Sequence, residues 1–149
     1  MNTSNNAALT LSWLNLWNGD LGLADRIVAE DFLIHAALMT GTGVEEMHGR
    51  GALKQWIGGI RALFPDLAFA FQVGPIADKN HLVARWQARG TYGGGFPGAS
   101  PKAVGRHITF SGTDILRVTD GMLVEYWVNS DALLLLQQLG VKEVPGGTG

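Results

Sequence analysis

Arg106-His107-Ile108-Thr109-Phe110-Ser111-Gly112-Thr113-Asp114-Ile115-Leu116-Arg117-Val118-Thr119 alternates along its whole length, the period of a β-strand with two chemically different faces. Ile108, Phe110, Gly112, Leu116 and Val118 share one face, and Asp114 sits among them. His107, Thr109, Ser111, Thr113, Ile115 and Arg117 share the other. A carboxylate on an apolar face is desolvated, which raises its pKa towards the range where a general acid or base works. Two readings of Asp114 stay open on the strand pattern alone. It is a functional acid or base, or it is a structural carboxylate satisfied by backbone, Tyr or Trp donors.

Outward from this strand the chain punctuates itself. Asp120-Gly121 is a tight hairpin turn leading into a further strand, Met122 to Val128. Ser130 or Asp131 caps a last helix, Ala132 to Leu139, closed by Gly140. Upstream, Leu67, Phe69, Phe71 and Val73 alternate along one strand. Leu82, Ala84, Trp86, Ala88 and Gly90 form the apolar side of the next, opposite His81, Arg85, Gln87 and Arg89. The Gly- and Pro-rich run from Gly93 to Pro101 connects it to the Asp114 strand.

The first half of the chain is helical in pattern. Ala7 to Asn18 places Leu9, Trp13 and Trp17 four apart on one face and stops at Gly19. A shorter helix is expected from Leu21 to Glu30, then an extended segment from Asp31 to Leu38 and a loop to Gly49. A helix from Gly51 to Phe64 puts Ala52, Trp56, Ile60 and Leu63 on its buried side and ends at Pro65. Helices, then a meander of long strands, then a terminal helix predict an α+β fold, with helices covering one face of a curved antiparallel sheet around a cavity.

Composition bounds the function. A chain of 149 residues, 46% hydrophobic, suffices for one globular domain, 1–149, with 1–6 and 144–149 expected to be flexible ends. A formal charge of −2 gives no electrostatic case for nucleic acid or an anionic membrane. Absence of Cys removes thiolate chemistry and Cys-type metal sites, and the four His lack metal-ligand spacing, so no metal is expected. The polar N-terminus lacks a basic leader and no apolar run spans a bilayer, so the expected compartment is the cytoplasm.

Phe64-Pro65-Asp66, Val83-Ala84-Arg85-Trp86 with Gly90-Thr91, and Phe110-Ser111-Gly112-Thr113-Asp114-Ile115 stand in an informative order. Asp120-Gly121, Val124-Glu125-Tyr126-Trp127-Val128-Asn129 and Leu135-Leu136-Gln137-Gln138-Leu139-Gly140 continue it. Together, from about Trp13 to Gly140, they resemble the SnoaL-like polyketide cyclases. That resemblance implies the NTF2-like cone-shaped α+β barrel, a curved sheet wrapped around the N-terminal helices with a large internal cavity. It implies a cofactor-independent enzyme that closes rings by intramolecular aldol condensation, with the acid/base Asp of this strand at Asp114. It implies a small hydrophobic or aromatic polyketide-like substrate, and a homodimer formed through the sheet face bearing Arg85, Gln87, Arg89, Thr109, Ser111 and Thr113.

Other polar and aromatic residues are candidates for substrate binding. His35 follows an Asp-Phe segment where the family also tends to carry a His, although a lone His there also serves structure. Trp86 and Phe110 share the apolar faces of their strands and can line a pocket or fill a core. Either Tyr126 or Trp127 faces inward, and sequence does not choose. Asn129 can donate into the cavity or start the terminal helix, and Phe96 can act as a lid. His107 is excluded as a partner of Asp114 by strand parity. Lys102-Ala103-Val104 lengthens the family's usual loop, which also lacks a counterpart for a second polar residue found in some cyclases. Other chemistries on this fold, isomerase, dehydratase or hydrolase, and a non-catalytic small-molecule-binding dimer are the alternatives.

Overall fold

The computed structural model describes residues 3–37 and 44–142. Helix α1 (Thr3–Trp17) is followed by a 3-10 turn (Leu21–Leu23) and the single-turn α2 (Ala24–Ile27). Strand β1 (Val28–Ala37), β2 (Val44–His48) and α3 (Arg50–Leu63) come next. Strands β3 (Ala68–Asp78), β4 (His81–Thr91), β5 (His107–Thr119) and β6 (Met122–Ser130) then lead to α4 (Ala132–Gln138). The flexible ends expected from sequence fall largely outside the described residues, while residues 3–6 are helical.

The strands form one open sheet in the order β2-β1-β6-β5-β4-β3. It is mixed rather than purely antiparallel, because β1 runs parallel to β6 while every other neighbour is antiparallel. The expected helix from Leu21 to Glu30 is cut short: the chain turns extended at Val28, and the pairing of Val28 with Leu123 carries it into the sheet. β2 lies in the segment expected as loop, where β1 supplies its hydrogen-bonding partner. Tertiary pairing overrides a weak local signal in both places.

Helices α1 and α3 cover the inner face of the sheet. On α3 the buried residues are Leu53, Ile57 and Ile60; Ile60 is buried as expected, while Ala52, Trp56 and Leu63 are only half-buried and Leu53 and Ile57 take the inner positions. Two adjacent apolar stripes compete on this helix, and the one richer in branched aliphatics is driven inward. Asn18 locks the end of α1 to β3: its Nδ2 donates to the Phe69 carbonyl at 3.1 Å and its Oδ1 accepts from the Phe69 N–H at 2.7 Å. Arg61 of α3 donates to the carbonyls of Trp17 and Leu67, tying both helices to the same strand.

β5 alternates as its sequence predicts, with Ile108, Phe110, Gly112, Asp114, Leu116 and Val118 all buried. The Asp120-Gly121 turn has positive φ at both residues, 51° and 77°, the conformation that matches strand twist in a two-residue hairpin. Just beyond it the β5–β6 register shifts: Val118 faces Leu123, but Arg117 faces Glu125. Val124 is the extra residue of this bulge, and it reverses which side chains of β6 turn inward. Tyr126 therefore falls opposite Leu116 on the inner face, and Trp127 turns outward.

Candidate active site

Asp114 sits in the middle of the sheet, paired with Ala84 on one side and Val128 on the other. Only 4% of its surface is exposed. Three side chains from three elements donate to it. Trp13 Nε1 of α1 reaches Oδ2 at 3.0 Å, Trp86 Nε1 of β4 reaches Oδ1 at 2.9 Å, and the Tyr126 hydroxyl of β6 reaches Oδ1 at 3.0 Å.

Trp86 can reach because Gly112 leaves a gap. The two residues face each other across β4 and β5, and a Cβ on Gly112 would stand 2.2 Å from the Trp86 ring and 2.8 Å from the Asn129 carbonyl. The indole lies over the strand where any other residue would block it. The Gly112–Asp114 spacing in sequence is thus a fitted pair, with a hole for the donor and a carboxylate to receive it.

Burial pushes the Asp114 carboxyl up to about 6, and the three donors hold it from rising further. Desolvation disfavours the charged form, whereas N–H and O–H donors favour it, and here burial is the larger effect. Burial, and then the negative charge of Asp114, push the Tyr126 hydroxyl well above its ordinary range, so Tyr126 is a neutral donor. A carboxylate offers two acceptor positions on each oxygen. Oδ1 uses both, for Trp86 and Tyr126, while Oδ2 uses one, for Trp13. The free acceptor position of the group is on Oδ2.

Asp114 contributes to a cavity walled by Trp13, Trp17, Ile60, Phe69, Trp86, Phe110 and Tyr126, with half-buried Leu14, Trp56, Phe71 and Val128 completing it. Its volume is about 40 Å³, space for only a few waters. Among the described residues this cavity is smaller than the large one expected from sequence, because bulky aromatics occupy the interior. They pack in edge-on contacts, Trp13 on Tyr126 at 4.8 Å and Trp17 on Trp56 at 5.1 Å.

Of the residues expected to bind substrate, Trp86 and Phe110 line this cavity. Four others lie elsewhere. His35 is on the outer face of β1, where its Nε2 is 2.7 Å from Glu125 Oε2 and its ring stacks on Trp127. Trp127 shares that face because of the β6 bulge, and the pair packs together outside the cavity. Asn129 is exposed at the end of β6. Phe96 is buried in the core, and its backbone N–H donates to the Tyr92 hydroxyl at 2.7 Å.

Trp13, Trp17 and Tyr126 are the site residues that sequence reading placed in the core or left undecided. The signal for the first two is their spacing of four on α1, which equally describes a packed helix face. His107 faces outward as strand parity requires, with Nδ1 3.1 Å from Thr91 Oγ1, while Thr91 donates to Asp66. A shallow groove beside them, lined by Asp66, Arg89 and His107, is thus edged by groups already bonded to their neighbours. Among the described residues no group of three or more His, Cys, Asp or Glu converges to hold a metal ion. No described helix is long and apolar enough to cross a membrane.

The described residues thus form an α+β cone with a buried carboxylate, Asp114, in an aromatic-walled cavity. The SnoaL-like polyketide cyclase family matches residues 7–139, and the chain belongs to that family. A search of curated proteins gives no match. Among solved structures, IdmH of Streptomyces antibioticus, a proposed polyketide cyclase, is 28% identical with a TM-score of 0.77, over 91% of this chain and 98% of that one. AclR of Streptomyces galilaeus, a proposed hydroxylase, is 24% identical with a TM-score of 0.78, over 97% and 87% of the two chains. TsrD of Streptomyces laurentii is 21% identical with a TM-score of 0.79, over 95% and 98%. The last two likenesses speak to the fold alone.

Proposed function

We propose that the protein is a cofactor-independent cyclase of a small, apolar polyketide-like compound, with Asp114 as its general acid and base. The observation that carries this reading is a carboxylate inside an aromatic cavity with one acceptor position left unfilled, on Oδ2. A carboxylate poised near 6 is ionised at neutral pH yet basic enough to accept a proton from a carbon flanked by carbonyls. The same acid then returns the proton to the aldol oxygen. The aromatic walls suit a flat conjugated substrate, whose extended carbonyl system shares the enolate charge. A ring-bearing substrate requires the half-buried side chains Leu14, Trp56, Phe71 and Val128 to turn aside.

Two observations favour a second reading, a non-catalytic small-molecule binder. The cavity is small, and three donors satisfy Asp114 as they would a purely structural carboxylate. Asp114→Asn separates the two. In an enzyme the variant loses turnover of an activated polyketide while aromatic ligands still quench Trp fluorescence; undiminished turnover sinks the acid/base role. A binder turns over no β-dicarbonyl compound in either form.

We infer as well that two copies associate through the outer face of the sheet, in the cytoplasm. Ile76, Val83, Ile115, Trp127 and His35 are successive cross-strand neighbours and form one largely apolar row from β3 to β1. Ile76 is 55% exposed and Ile115 38%. The mixed polar surface of Arg85, Arg89 and Thr113 lies beside this row. A twofold axis near Ile115 would lay the row upon itself, as an isologous dimer interface requires.

A further inference from the structure

The aromatic wall includes a residue, Trp17, whose polar atom is buried without a hydrogen-bond partner among the described residues. Trp17 is 7% exposed, and the atom is its indole donor, Nε1. The neighbouring indoles behave differently: Trp13 and Trp86 both donate to Asp114. A buried N–H left unpaired is costly, and the great majority of such groups in folded proteins find an acceptor. Trp17 belongs to the same cavity wall as Asp114. It also packs edge-on against Trp13, Trp56 and Phe69, and Arg61 holds its backbone carbonyl. The indole is therefore fixed in place by its surroundings rather than free to turn towards solvent.

Two fully buried polar valences are left in this wall: one acceptor position on Asp114 Oδ2 and one donor on Trp17. Trp13, Trp86 and Tyr126 are already committed, the indole of Trp56 is only half-buried, and the rest is apolar. We propose that the Trp17 indole N–H is the hydrogen-bond donor to a carbonyl oxygen of the molecule held at Asp114, so that the site takes an enolisable carbonyl compound. The assignment rests on Asp114 being the base. In the step it serves, the C–H bond beside the carbonyl breaks and the proton bonds to Oδ2. The electron pair becomes the enolate double bond, and the negative charge gathers on the oxygen that Trp17 holds. A donor aimed at developing charge in a water-poor site stabilises that charge more than it would in water.

The probe is 2,4-pentanedione, a small β-dicarbonyl, titrated into the intact protein while the five Trp indole N–H resonances are followed by 15N NMR. The expected result is a downfield move of the Trp17 indole proton together with shifts at Trp13 and Trp86. Trp17→Phe should weaken the probe about tenfold, the loss of one hydrogen bond. The same variant should bind toluene no more weakly than the parent, which separates the lost N–H from a disturbed wall. If Trp13 and Trp86 respond and Trp17 does not, its N–H is held on a neighbouring ring face and the proposal falls, while the Asp114 reading stands. If no indole moves at a saturating excess of probe, both fall.

Discussion

At the scale of single residues, the proposed chemistry of this protein reduces to how one carboxyl group is held. The Asp114 pKa is about 6 in the folded chain against an ordinary value of 3.8, so the protonated form favours folding. That contribution is fully present below about pH 4 and is lost as pH rises through about 6. Two pKa units correspond to roughly 3 kcal/mol, so denaturant midpoints should fall over that window in the wild-type chain. In Asp114→Asn this component of the pH dependence should vanish. A catalytic base must be ionised, so kcat/KM for an activated polyketide should rise with pH and level off above about 6. Tyr126→Phe removes a donor that favours the anion. The midpoint of that profile should move upward, and a downward move would contradict the hydrogen bond to Oδ1.

At the scale of elements, the site depends on a helix and three strands meeting at fixed distances. β5 supplies the carboxylate, β4 the Trp86 donor, β6 the Tyr126 donor and α1 the Trp13 donor. Gly112→Ala tests the fit between β4 and β5. Its methyl group would collide with the Trp86 ring and with backbone, so stability should drop by about 1–3 kcal/mol. The Trp86 indole proton should also leave its Asp114-bonded position, visible by NMR; an unchanged resonance would show that the gap is not needed. The β6 bulge at Val124 is the second such device, because it alone turns Tyr126 towards Asp114 and sends Trp127 to His35 on the other face.

At the scale of the whole molecule, the sheet has an inner face occupied by helices and an outer face crossed by the Ile76–Trp127 row. Ile115→Arg should convert the proposed dimer to a monomer in analytical ultracentrifugation, with little change in the monomer's own stability. A wild-type protein that sediments as a monomer at micromolar concentration would end the dimer proposal. The sequence by itself determined the long alternating β5, the Asp-Gly hairpin, the α+β class and the place of Asp114 on the apolar face. Those features are local: a period of two, a turn with two positive φ values and an out-of-place charge all lie within a few residues of one another. Only the tertiary structure decided that β2 exists and that α3 buries Leu53 and Ile57. It alone decided that Tyr126 faces inward, that Trp13 and Trp86 reach the carboxylate and that Trp17 lines the same cavity. Each of these depends on pairing or packing against another segment of the chain, as far as 101 residues away in the case of Trp13 and Asp114. An aromatic residue on a helix has the same local pattern whether it fills a core or donates a hydrogen bond, so the choice is made only when the chain closes on itself.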